Sequence, residues 1–385
     1  MDHLETAVGH LGDLVAFPTV SSDSNLDLIS WAADRLRMLG AEVEIAMDGT
    51  GHKANLFATF GPEADGGVVL SGHTDVVPVD GQDWATDPFR MEARDGRLYG
   101  RGTCDMKGFI ACVMAMAPEM ARWDLSRPVH IALTYDEEVG CYGARALVDA
   151  LRERRTRPAI ALIGEPTSMR IIEGHKGCCE YTTTFQGLEG HGSDPDRGVN
   201  AAAFAVRYAT RLMDLAEELK GRAPPGSRFD PPWTTINLGR IAAGSAHNVI
   251  AGHAELDWEM RPVAAEDSAR VLAEIDRYAA EVLAPQMKSV HHEAGIVRHV
   301  VGEVAALKPV KANAAVALAA ALTGGNETDV VAFGTEAGLF QDLGLDCVVC
   351  GPGSIVQAHK PDEYVELSQL SACLDMLARL EGRLS

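Results

Sequence analysis

The sequence predicts an α/β protein: a domain built on a mostly parallel sheet, interrupted by a smaller α+β domain of ferredoxin-like β-α-β-β-α-β order. Three observations predict it. The segments "GGVVLSGH", "VHIALTYD" and "AIALIGEP" are near-continuous apolar runs of strand length that end in polar residues, as strands buried on both faces of a parallel sheet do. Helical stretches lie between and beside them, Lys107 to Arg122 and Gly143 to Arg155. After Lys176 the pattern changes, and "CCEYTTTFQG" alternates like a half-exposed strand.

The inserted part follows element by element. A helix is expected from about Asn200 to Lys220, then the Pro- and Gly-rich loop "GRAPPGSRFDPP". The strands "TTINLGRI" and "HAELDWEMRP" come next, followed by a helix from about Ala265 to Leu283 and a last strand in "SVHHEAGIVRHV". That order places helices on one face of an antiparallel sheet. From about Leu307 the α/β character returns, with the helix "ANAAVALAAALTG" and the strand "DCVVCGP". The expected division is residues 1–176 and 301–385 for a discontinuous first domain and 177–300 for the insertion.

Composition sets the class. The 385 residues carry a formal charge of −21, which argues against a nucleic-acid partner because such a partner needs a basic face. The N-terminal stretch "MDHLETAVGHLGDLVAF" has no basic segment leading into an apolar one, so no secretory leader is expected. The longest apolar runs fall well short of a membrane span. Eight cysteines without framework spacing fit a reduced, cytoplasmic setting. Cys347 and Cys350 form a CxxC inside an apolar, strand-like run, where core packing is expected rather than metal or redox chemistry. Cys178 and Cys179 are read in the same structural way.

The polar residues that end the strands carry the chemistry. In "VVLSGHTDVVP", His73 and Asp75 project to the same side of an extended segment. A ligand histidine commonly gives its second ring N–H to a carboxylate, and His-X-Asp fits that arrangement. "YGRGTCDMKGF" places Asp105 just before a helix, with Gly100, Gly102 and Gly108 allowing close backbone approach. On local grounds Asp105 reads equally as an N-cap. "TYDEEVG" offers Glu137 and Glu138, "IGEPT" offers Glu165, and "QAHKPDEY" offers His359. Together His73, Asp105, Glu138, Glu165 and His359 suit Zn²⁺, with Co²⁺ or Mn²⁺ as alternatives. Five ligands exceed one tetrahedral site with an open position. They suit two ions about 3.5–4 Å apart that share a carboxylate and a water. Glu137 is then free to act as a base. Asp136 receives no role.

Longer motifs carry a family resemblance. "SGHTDVVPVDGQDWATDPF", "YGRGTCDMKG", "TYDEEVGCYGA", "IGEPT", "AHNVIAG", "GTEAGLFQ" and "CGPGSIVQAHKPDEY" are similar to those of the M20 family of zinc amidohydrolases and peptidases, and within it to the acetylornithine deacetylase type. The resemblance implies that His73 and Glu165 bind one zinc and His359 and Glu138 the other, with Asp105 bridging. It further implies that Asp75 orients His73, that Glu137 is the general base and that the Asp105-Met106 peptide bond is cis. His191 in the insertion resembles the family histidine that helps hold the tetrahedral intermediate. In dimeric members that histidine comes from the partner subunit, so a lid and dimerisation domain and a homodimer are expected. Asn248 and Arg261 match substrate-binding positions.

The implied reaction is hydrolysis of the amide of an N-acyl amino acid, with N2-acetyl-L-ornithine giving L-ornithine and acetate in arginine biosynthesis. A substrate carboxylate needs a cationic partner, for which Arg261 is the first candidate and Lys176 the second. Glu336, in "FGTEAG", is the candidate for the side-chain ammonium. A succinyl-diaminopimelate desuccinylase, another N-acyl amino-acid hydrolase or a dipeptidase would share every metal ligand. An interaction protein that has lost catalysis would lack a ligand or the base, and none is missing. A phosphate-binding module is disfavoured because no glycine-rich phosphate loop follows the first strand.

Overall fold

The computed structural model describes residues 2–385. The chain divides into two compact units, the first of residues 2–174, 307–330 and 335–385, the second of residues 175–306 and 331–334. The expected border at residue 300 falls inside the strand Gly295–Val304, which belongs wholly to the second unit.

The first unit is organised by an eight-stranded sheet. Its order is Glu42–Met47, Ala54–Phe60, Val129–Thr134, Val68–His73, Ile160–Pro166, Asp346–Gly351, Ile171–His175 and Thr328–Val331. Val129–Thr134, Val68–His73, Ile160–Pro166 and Asp346–Gly351 run parallel to their neighbours within this group. Antiparallel strands flank them. Every residue of Val68–His73 and of Val129–Thr134 is buried, which is why these segments read as unbroken apolar runs rather than alternating ones. The helix Lys107–Met120 is buried almost throughout. It shares one core with the sheet and with the helices His3–Val15, Leu26–Met38 and Leu367–Ala378.

The second unit has a four-stranded antiparallel sheet in the order Thr235–Ala243, His253–Arg261, Cys178–Gln186 and Gly295–Val304. Alternate residues Cys179, Tyr181 and Phe185 and their neighbours Leu256, Trp258 and Met260 pack with Tyr208, Leu212 and Leu215 of the helix Ala201–Lys220. The helix expected to end near Leu283 runs from Ala265 to Tyr278, passes through a π turn at Ala279–Leu283 and continues as Ala284–Val290. Pro285, which has no N–H to give to the preceding turn, sits where the regular spacing resumes. Ser289 and Val290 are therefore helical, and the last strand starts later than the sequence suggested, at Gly295.

All eight cysteines are free, and Cys347 and Cys350 are fully buried. Among the described residues no helix is long and apolar enough to cross a membrane.

Candidate metal centre

The four parallel strands converge on one edge. His73 is the last residue of Val68–His73, Glu165 lies at the end of Ile160–Pro166, and Glu137 and Glu138 follow Val129–Thr134. His359 follows Asp346–Gly351, in a loop where its own φ is +62°. The carboxyl ends of parallel strands are where such sheets leave room for a ligand. Asp105 precedes the helix Lys107–Met120, and the Asp105-Met106 peptide bond is cis. Two glycines make the approach to this aspartate feasible. Gly102 has φ +80°, and a Cβ on Gly108 would lie 2.5 Å from the carbonyl oxygen of Thr103.

Asp105 stands between the two histidines. Its Oδ1 is 3.0 Å from His73 Nε2 and its Oδ2 is 3.3 Å from His359 Nε2. His73 Nε2 also lies 3.7 Å from Glu165 Oε1, and His359 Nε2 lies 3.1 Å from Glu138 Oε2. The N-cap of the following helix is Met106, without a side-chain bond, so the capping reading of Asp105 does not hold. His73, Asp105 and Glu138 offer ligand atoms all within 4.8 Å of one another, and so do His73, Glu137 and Glu165. Glu137 thus stands within the same cluster.

The electrostatics describe a site built for positive charge. Burial pushes Glu137 and Glu165 well above the usual carboxylate range and Glu138 up to about 7, with neighbouring carboxylates adding to the rise. Burial alone would lower the pKa of His73, but Glu165, Asp105 and Asp75 outweigh it and raise it. Hydrogen bonds to Asp105 and Glu138 lift His359 to about 10. Four carboxylates, two buried and two half-buried, that face two imidazoles repel one another unless cations sit among them. Oxygen and imidazole donors without thiolate, with one carboxylate presenting an oxygen to each side, fit a pair of divalent ions.

Sequence reasoning missed or misread part of the frame around this cluster. His73 Nδ1 is 2.9 Å from the backbone carbonyl of Asp75 and 3.6 Å from its carboxylate. The main chain of Asp75, rather than its carboxylate, is therefore at hydrogen-bond distance from the ring. The carboxylate is occupied elsewhere, accepting from Ser21 Oγ (2.6 Å) and from the backbone N–H groups of Glu137 (3.0 Å) and Glu138 (3.3 Å). Asp136 has φ +55°, and its carboxylate pairs with Lys53 Nζ at 2.5 Å. Lys53 also donates to the carbonyl of Ser21. Glu363, in "HKPDEY", has no role legible in the sequence, yet it accepts from the backbone N–H groups of Cys104 and Asp105. A glutamate a few residues beyond a candidate ligand was the only signal available.

Glu336 requires a correction. It is 1% exposed, and its carboxylate is hydrogen-bonded to the hydroxyls of Ser71 and Thr134. Its burial, with the carboxylate turned to two hydroxyls of the core, keeps it from standing open to a substrate ammonium in this structure. The remaining candidates lie in the second unit. His191 is exposed, in a two-residue strand paired with Val249–Ile250, and its Nδ1 lies 2.7 Å from Ser193 Oγ. The carbonyl of Asn248 accepts from the N–H of Gly192. Arg261 is paired with Glu259 at 2.8 Å, and Lys176 donates to the carbonyl of Trp233.

A buried imidazole, an exposed one (His359, half-exposed at its side chain) and four carboxylates gathered at the carboxyl edge of a parallel sheet are the equipment of a metallohydrolase. Comparison with known proteins gives the family. The model of Peptidase family M20/M25/M40 matches residues 69–381, and the chain belongs to this family. The family is metal-dependent, and the chain is a hydrolase acting on amide bonds. It is 37% identical to an acetylornithine deacetylase of Myxococcus xanthus, over 98% of this chain and 97% of that relative. It is 34% identical to an acetylornithine deacetylase of Pasteurella multocida, over 96% of each. Among solved structures, the M20 metallo-carboxypeptidase Sso-CP2 of Sulfolobus solfataricus superposes with a TM-score of 0.75 at 16% identity, covering 99% of this chain and 98% of that one. The aminopeptidase PepT of Bacillus cereus gives 0.73 at 19% identity, with the same coverage. At these identities the solved structures speak for the fold alone.

Proposed function

We propose that this chain hydrolyses N2-acetyl-L-ornithine to L-ornithine and acetate, as a step of arginine biosynthesis. The observation that carries this reading is the likeness, along nearly the whole chain, to two relatives named acetylornithine deacetylase. Two divalent ions, zinc first and cobalt or manganese as alternatives, are proposed to be held by His73 and Glu165 on one side and His359 and Glu138 on the other, with Asp105 between them. When bound, such ions act as Lewis acids and bring the pKa of water toward neutrality.

The chain's own residues then divide the work. Glu137 takes the proton of the attacking water and returns it to the departing amine. Asp75 holds His73 through its carbonyl and holds the Glu137-Glu138 turn through its carboxylate. His191 donates to the oxyanion as the amide carbon becomes tetrahedral. Arg261, with Asn248 and Lys176, receives the substrate carboxylate. A homodimer joined through the inserted domain, and a cytoplasmic location consistent with free cysteines, complete the reading.

The test is steady-state kinetics of the zinc-loaded protein on acetylornithine, succinyl-diaminopimelate, acetylcitrulline, acetylmethionine and dipeptides. Acetylornithine should give the highest kcat/KM. A higher value for a dipeptide or for the succinyl substrate would overturn the substrate assignment and leave the proton-transfer roles standing.

A further inference from the structure

A second cluster lies behind the candidate metal centre, and none of the proposed steps uses it. Glu363 and Arg101 are each 1% exposed and are joined by a 2.7 Å bond from Nη1 to Oε2. The other oxygen of Glu363 accepts from the backbone N–H groups of Cys104 (2.9 Å) and Asp105 (3.1 Å). Arg101 donates from Nη1 to the carbonyl of Lys360 at 3.3 Å, and from Nη2 to Gln82 Oε1 at 2.6 Å and the carbonyl of Pro78 at 3.4 Å. Gln82 in turn donates from Nε2 to the carbonyl of His359 at 3.2 Å. The segment carrying His359 is therefore tied at both ends to the segment carrying Asp105.

Stability alone is a weak reason for this arrangement. A buried ion pair loses several kcal/mol of hydration per ion and often contributes no more than an apolar pair of the same volume. Here Arg101 Nε also has no hydrogen-bond partner. Three of the remaining bonds, to Cys104, Asp105 and Lys360, go to the backbone at or beside two candidate ligands. Both histidines face Asp105, but His73 has a further anchor that Glu363 does not touch, the backbone carbonyl of Asp75 at 2.9 Å from Nδ1.

We propose that Glu363, acting through Arg101 and Gln82, is a positioning residue that fixes Asp105 relative to His359, and so sets the affinity of the cation position formed by His359 and Glu138 rather than that formed by His73 and Glu165. This rests on the two-cation reading above. Outer groups that hold ligands in place commonly contribute about 10- to 100-fold in metal affinity.

The experiment is zinc titration of the chelator-stripped full-length chain, with bound zinc counted by elemental analysis and stepwise affinities read by calorimetry. The wild type, Glu363→Gln and Gln82→Ala are compared. The wild type should bind two ions. Glu363→Gln should weaken one step by about 10- to 100-fold and leave the other unchanged, and Gln82→Ala should weaken the same step by less. Equal affinities in all three proteins, or equal loss at both steps, overturns the proposal. If Glu363→Gln does not fold, the half-buried Gln82→Ala decides, and wild-type affinities in it overturn the proposal. A wild type that binds a single ion overturns the two-cation reading and this proposal together.

Discussion

Asp75 Oδ1 accepts the backbone N–H of Glu137 at 3.0 Å. The same carboxylate takes the N–H of Glu138 through Oδ2 at 3.3 Å. One buried acid thus fixes the start of the turn that presents both the proposed base and a proposed ligand. Its charge makes these bonds stronger than neutral ones.

Glu137→Gln preserves the shape of the side chain and removes its capacity to take a proton. We expect kcat to fall by about 10²- to 10⁴-fold, with bound zinc per chain unchanged by elemental analysis. Near-wild-type turnover with zinc in place would show that another group is the base.

Asp75→Asn leaves a neutral amide facing three donors, with a single acceptor oxygen. The turn should loosen, lowering kcat by about tenfold or more, which corresponds to ~1.4 kcal/mol or more at the barrier, while KM changes little. A variant that raises KM and keeps kcat would place Asp75 in substrate binding instead.

Glu336→Ala removes the acceptor shared by Ser71 and Thr134 in the core. Leaving buried hydroxyls without a partner costs about 1–3 kcal/mol, so the melting temperature should drop. The preference for acetylornithine over N-acetyl-norvaline should persist. Loss of that preference in a stably folded variant would restore Glu336 to the substrate site.

Acid stability should depend on His130, remote from the proposed chemistry. Burial pulls its pKa down to about 4, with Arg154 adding to the effect. The unfolded value is near 6.5. Above that pH neither state binds the proton, and the residue contributes no pH dependence. Between about 6.5 and 4 the unfolded chain takes up a proton that the folded one refuses. Stability then falls as pH falls, by at most about 1.4 kcal/mol per pH unit from this group. In denaturant melts, His130→Gln should show a shallower acid limb across that window and a constant offset above pH 7. Parallel limbs would exclude His130 as a source of the slope.

Much of this was legible in the chain because parallel strands buried on both faces leave little doubt about where they stop. His73, Glu138, Glu165 and His359 stand out as the polar residues that break or follow apolar runs. What escaped depends on contacts far apart in sequence. Lys53 and Asp136 meet across 83 positions, and Glu363 meets Cys104 across 259. Neither pairing leaves a local pattern. The burial of Glu336 is not legible locally, because only its packing against Ser71 and Thr134, far away in sequence, reveals it. Asp75 was read in the right place with the wrong atom, since periodicity assigns side chains to faces and says nothing of carbonyls.

The bond between His359 and Glu138 spans 221 positions. A ribosome adding about 5–20 residues per second therefore needs some tens of seconds after making Glu138 before it makes His359. From the synthesis of Glu165 onward the nascent chain holds four acids and one imidazole of the cluster without the second imidazole. The nascent chain cannot bring His359 to Glu138 until the whole second unit has been synthesised, and on the proposed reading any ion captured earlier is held by an incomplete set of donors.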